Sequence, residues 1–251
     1  MWGQETWTVL LVGVLSGVAA TGIAWFVRKR KSEPEDVTIG FLGPSLAAMY
    51  LLVLALALAT EWSTIGSAQQ AVGNEAVAVR QIYWAVGALP QPAANNLEAQ
   101  VGDYLRTVID HDWPQMQRGT LDDRSNELLS TMSSSVLRLN ETASGAANAQ
   151  QYAIGQLSVL ATARAQRADA AGSRLPAGVL AAVIVTSLIV CLFPFAGGLR
   201  SDKISVAIAV LQAALVAVTV VVVFQLDNPF TGPLATTPDP FTAVAALVSA
   251  R

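Results

Sequence analysis

Hydrophobic and polar positions divide this chain into long blocks. Four stretches, 6–27, 37–60, 175–199 and 204–226, contain no charged residue, and each is 22 to 25 residues long. That is enough for an α-helix to cross a hydrocarbon layer of roughly 30 Å. Between the second and third stretches lies a polar segment, 61–174, which holds 8 of the 15 basic residues. The pattern predicts an all-α protein with four transmembrane helices and a helical-bundle insert between helices two and three. Residues 1–60 form one transmembrane hairpin (helices about 7–27 and 39–60) and 175–226 the other (about 176–197 and 204–226). Residues 61–174 form the extramembrane bundle, and 227–251 a C-terminal turn with a short interfacial helix.

Within these blocks the finer spacing sets the elements. The second helix begins near Phe41, with Pro44 in its first turn, where a missing N–H does no harm. Beyond Glu61 and Trp62, the positions Ile65, Val72, Val79 and Val86 recur every seven residues, with Ala68, Ile82 and Leu89 at the matching positions and Glu75 as the polar exception. This is a coiled-coil type of seam, so the helix is expected to leave the bilayer as a long stalk until Pro90 and Pro92 break it. Leu97, Val101, Tyr104, Leu105, Val108 and Ile109 mark an amphipathic helix that ends or kinks at Trp113-Pro114. Leu121, Leu128, Leu129, Met132, Val136 and Leu139 mark another, and a fourth is expected over about 147–172. After the last membrane segment, Asp227-Asn228-Pro229-Phe230-Thr231-Gly232 reads as a turn. Asp239-Pro240 then starts a short helix that lies on the membrane surface or against the bundle.

Composition supports a bilayer as solvent. The chain is 53% hydrophobic and 13% charged, against about 25% charged in soluble domains. A net charge of −3 argues against a nucleic-acid partner. One cysteine, Cys191, and one histidine, His111, leave no disulfide framework and no thiolate metal site. No metal, no cofactor and no enzyme activity is expected. The first stretch is followed, not preceded, by the basic cluster Arg28-Lys29-Arg30-Lys31, the reverse of a secretory signal. All three lysines lie in loops 28–36 and 200–203. The positive-inside rule therefore places both loops in the cytoplasm and segment 61–174 outside.

Three groups of residues are candidates for function. Ser205, Gln212 and Thr219 stand seven apart on the fourth membrane helix, either facing an ion path or hydrogen-bonding to neighbouring helices. Arg164 and Arg167 share a helix face, and with Glu75 they form a candidate bundle ion-pair cluster. It either fixes register or lines an anion-attracting vestibule, or else the charges pair ordinarily in solvent. Asp110-His111-Asp112 reads as solvated polarity just before a helix end, and Asp122-Asp123 as favouring a helix N-terminus. On the first helix, Gly13 and Gly17 allow close approach, within the chain or to a second copy. Trp2, Trp7 and Trp25 sit near its ends.

Taken together, several short motifs resemble the bacterial "bestrophin-like domain" membrane family of unknown function. They are Tyr50, Glu61-Trp62, Glu75-Ala76, Tyr83, Leu89-Pro90, Tyr104, Trp113-Pro114-x-Met116-x-Arg118-Gly119, Arg164-x-x-Arg167 and Leu175-Pro176. The exit turn Asp227, Pro229, Phe230, Gly232 completes the set with Pro238 and Phe241. Bestrophins are pentameric anion channels, so the resemblance implies an oligomeric ion channel. Their proline-rich neck motif and acidic calcium clasp are not found in this sequence, and bestrophins keep the region matching the insert in the cytosol. The expected function is a membrane channel. The alternative is a structural or accessory subunit that binds a protein partner through its helical insert. The expected partners are the lipid bilayer and further copies of the chain or the other subunits of a membrane complex.

Overall fold

The computed structural model describes residues 36–121, 123–140, 142–196, 203–232 and 234–250, with main chain alone for 36–41, 195–196 and 203. The helix expected over about 7–27, its glycine pair, its tryptophans, the basic cluster 28–31, Arg200 and Asp122 lie outside the described residues. Every described element is helical. They are α1 (Asp36–Val86), α2 (Ala93–Thr107), α3 (Trp113–Met116), α4 (Arg124–Leu137), α5 (Ser144–Gly172), α6 (Ala177–Ala196), α7 (Lys203–Leu226) and α8 (Asp239–Ser249). A single π-helical turn, Val108–Asp112, joins α2 to α3.

The helix α1 is 51 residues long, or about 76 Å at 1.5 Å per residue. It starts at Asp36 rather than near Phe41, so Pro44 lies in its interior instead of its first turn. The last helix breaker before the apolar run is Pro34, and one interior proline removes a single backbone hydrogen bond. The helix ends where Ala88 and Leu89 donate to the carbonyls of Ala85 and Val86, just ahead of Pro90.

By contact density the chain falls into two compact units. The first comprises the described part of residues up to 61 together with 175–227. Its interior is Tyr50, Leu54, Ala57, Leu175, Val183, Val216 and Val223. Its exterior is also apolar: Leu51, Leu52, Leu56, Ile204, Ile208 and Leu211 are all more than half exposed. Three described helices, α1, α6 and α7, are long and apolar enough to cross a membrane. An exterior of this kind suits lipid rather than water.

The second unit comprises residues 62–174 and 228–251. All eight seam positions, Ile65 through Val86 on α1 with Glu75 among them and Leu89 just past its end, are buried here. Six of them, Ala68, Val72, Val79, Ile82, Val86 and Leu89, share a core with Leu97, Val101, Tyr104 and Leu105 of α2, with Leu129, Met132 and Val136 of α4, and with Leu157 and Leu160 of α5. The helix α5 starts at Ser144, three residues earlier than expected; Gly145 falls in its first turn, and Ala146, Ala147 and Ala149 are strong helix formers. Of the two placements expected for α8, the structure shows the bundle: Phe241 and Val244 are buried in this core, and Val248 packs near Gly102 of α2.

Candidate functional site

A fully buried set of charges occupies the centre of the second unit. Glu75 reaches it from the α1 seam and Arg167 from the inner face of α5; neither side chain has exposed surface. The guanidinium grips the carboxylate in a fork, with Nε to Oε2 at 2.6 Å and Nη2 to Oε1 at 3.0 Å. Nη2 also donates to Asp112 Oδ2 at 2.9 Å, and Nη1 to the sulfur of Met116 at 3.2 Å. Tyr104 donates to Glu75 Oε1 at 2.6 Å. Arg164 joins one step further out, donating from Nε to Ser125 Oγ (2.8 Å), which donates in turn to Asp112 Oδ2 (2.7 Å). Two arginines thus face two carboxylates, a balance that an apolar interior requires.

Aromatic rings close the site. The Arg167 guanidinium carbon stands 5.7 Å from the centroid of Phe241. Trp113 meets Phe230 edge-on at 5.5 Å and Phe241 at 6.2 Å. Burial alone would lower the pKa of Arg167. The charge and hydrogen bonds of Glu75, with Tyr104 and Asp112, outweigh it and raise the pKa above the ordinary arginine value. Tyr104 is pushed well above the usual tyrosine value, first by burial and then by the charge of Glu75 and its hydrogen bond, while Arg167 and Arg164 pull the other way.

The structure therefore brings Glu75, Arg164 and Arg167 together, inside the bundle rather than in solvent or on a vestibule wall. It corrects the reading of Asp112, which is buried, whereas Asp110 and His111 are exposed. The reason is position. Asp112 follows Val108 by four residues and so shares its inward face. Sequence reasoning also passed over Ser125, a small residue in a polar run. The exit turn does local work. Asp227 accepts from the Leu175 backbone N–H at 2.7 Å, and Thr236 N–H donates to Pro229 O at 2.9 Å. Phe230 is buried, and Gly232 has φ +88°.

The candidate polar face of α7 is spent within the first unit. Gln212 Nε2 donates to the Val190 carbonyl of α6 at 2.9 Å. The Thr219 hydroxyl hydrogen-bonds to the Tyr50 hydroxyl of α1. Ser205 is half-buried. A different polar feature appears in the second unit: a cleft of about 500 Å³ between α1 and α5, lined among others by Ser63, Ser67, Gln70, Asn74, Gln166 and Asp169. Its signal in the sequence was the 3–4 spacing of hydroxyl and amide residues beside the apolar seam.

The family model described as "Bestrophin-like domain" matches residues 9–241. The chain belongs to this family. Among solved structures, a single-residue variant of a bacterial bestrophin homologue from Klebsiella pneumoniae is similar at 15% identity and a TM-score of 0.69, covering 98% of this chain and 100% of that one. A second variant gives 16% identity and 0.70 over 98% and 97%. A further structure of the Klebsiella homologue gives 15% and 0.67 over 97% and 95%. At such identity the likeness is one of fold. No curated protein matches the chain. Eight of the residues that carry the Bestrophin-like resemblance gather around the buried charges: Glu75, Tyr104, Trp113, Met116, Arg164, Arg167, Phe230 and Phe241. In this Bestrophin-like chain, that part of the motif describes the inside of the bundle.

Proposed function

We propose that the chain forms a homo-oligomer in the bacterial plasma membrane and encloses an ion path lined by α1. One face of α1 carries the reading. Leu52, Leu56, Ser63, Ser67, Gln70 and Asn74 follow one another at three-, four- or seven-residue steps on one side of the helix, and all are exposed. The apolar pair sits in the charge-free part, and hydroxyls and amides follow. Such groups replace part of an ion's hydration shell, and channel activity is what the resemblance to bestrophins implies. The similar Klebsiella protein is a bestrophin homologue, which agrees with this reading. In it the chain performs no chemical conversion and needs no cofactor.

The second reading, a structural or accessory subunit that binds a protein partner through its helical bundle, is favoured by Gln212 and Thr219, whose polar groups are used in helix packing. Currents from the size-verified oligomer in liposomes, under anion and cation gradients, separate the two. Conductance is expected; silence from a correctly assembled oligomer overturns the channel and leaves the accessory role. The basic loops support a cytoplasmic placement for themselves and an extracytoplasmic one for 61–174. A reporter inserted near Gly145 should then be active only in an extracytoplasmic form, and a cytoplasm-only signal would reverse the orientation.

A further inference from the structure

A groove of about 270 Å³ lies in the second unit, between α1 and the loop that follows the exit turn. Trp62, Ile65, Gly66 and Gln69 form its helix wall, and Leu234 and Ala235 its loop wall. The loop is held by its own backbone: Ala235 N–H donates to the Gly232 carbonyl at 3.3 Å, and Thr236 N–H to the Pro229 carbonyl at 2.9 Å. None of the six lining residues is charged. A Cβ at Gly66 would meet nothing within 4 Å, so the groove is open down to the helix backbone. Glycine weakens a helix interior and allows a ligand to approach the backbone closely.

The groove continues a surface that suits lipid. Trp62 stands two residues beyond the charge-free stretch 37–60, at the depth where indole rings meet the headgroup region of a bilayer. Its ring side chain is 66% exposed. Leu51, Ala55, Leu58, Trp62, Gly66 and Gln69 follow one another at steps of three or four residues, so they share one side of α1. That side is turned roughly 100° from the polar side proposed to line the path. Along it the residues run from aliphatic, through tryptophan, to an amide. A phospholipid runs in the same order, from acyl chain through ester to headgroup. We infer that the groove seats the glycerol-ester end of a membrane phospholipid. Its chains lie along the Leu51–Leu58 side of α1, and the Gln69 amide donates to an ester or phosphate oxygen. With no lysine or arginine in the lining, the seat does not discriminate an anionic headgroup from a zwitterionic one. A second copy of the chain covering this side of α1 would require no such order of polarity.

The test is photolabelling of the full-length protein in vesicles of phosphatidylethanolamine or phosphatidylglycerol, each carrying a diazirine on the acyl chain close to the ester. Labelled residues are mapped by mass spectrometry for wild type, Gly66→Leu, Leu234→Asp and Glu127→Lys. Gly66→Leu fills the groove from the helix wall while favouring the helix, and Leu234→Asp sets a charge in the loop wall. Labelling at Ile204 and Ile208, exposed at the start of α7, reports that each variant is folded and inserted. Wild type is expected to be labelled within 62–69 and at 234–235, equally with both lipids. That label should be lost in Gly66→Leu and Leu234→Asp and kept in Glu127→Lys. Wild type labelled at 204 and 208 but not within 62–69 overturns the lipid seat, as does a label within 62–69 that survives both groove variants. An unlabelled wild-type groove, with a particle mass that falls in Gly66→Leu, overturns it in favour of a second copy of the chain.

Discussion

Arg167 keeps its charge without any exposed surface because Glu75 and Asp112 place two carboxylates within 2.9 Å of its guanidinium. Removing one member of such a set strands the others, which costs about 3–5 kcal/mol. Arg167→Met is therefore expected to lower the denaturation midpoint of the solubilised protein by that equivalent. Arg106→Ala, at the exposed pair with Asp103, is expected to leave it unchanged. Tyr104 adds a pH signature. Its folded pKa is raised, so its contribution is fully present below the unfolded value of about 10 and is lost as pH rises from there through the folded value. Wild type should lose more stability than Tyr104→Phe between about pH 9 and pH 11, measured by chemical denaturation; equal losses would contradict the assignment. Glu75 was legible in the sequence because it breaks an apolar seam. Asp112 was not, because Asp110, His111 and Asp112 look alike as residue types, and only the roughly 100° turn per residue separates them.

Among the elements, α1 is the most legible. Its seven-residue repeat from Ile65 to Leu89 gave the stalk, and every seam position is buried. Its start, at Asp36, lies ahead of the position near Phe41 that the sequence suggests, and Pro44 is an interior residue. The π-helical turn at Val108–Asp112 leaves no mark in composition, because it is a change in backbone hydrogen bonding, to i→i+5, over five residues. The exit turn was legible from its Asn, Pro and Gly residues. Gly232, at φ +88°, is where it tolerates least: a Cβ in that region costs about 1–2 kcal/mol. Gly232→Ala should lower the melting midpoint accordingly, and an unchanged midpoint would show that the turn adjusts freely.

For the whole molecule, the four charge-free blocks and the polar insert were enough to read an all-α membrane protein, since a bilayer demands long uncharged helices. The division of labour between helix faces was not. The polar stripe on α7 stands out in the sequence, yet its groups bond to α6 and α1. The polar side of the α1 stalk is inconspicuous, because outside a membrane hydroxyls and amides are ordinary. The proposed ion path runs along that side of α1. Its most direct test places single cysteines at Ser67, and at the buried Val72 as control, in a Cys191→Ser background, and follows liposome currents while a charged thiol reagent is added. Rapid block at position 67 with none at position 72 is the result the account predicts; currents untouched by modification at position 67 would contradict it.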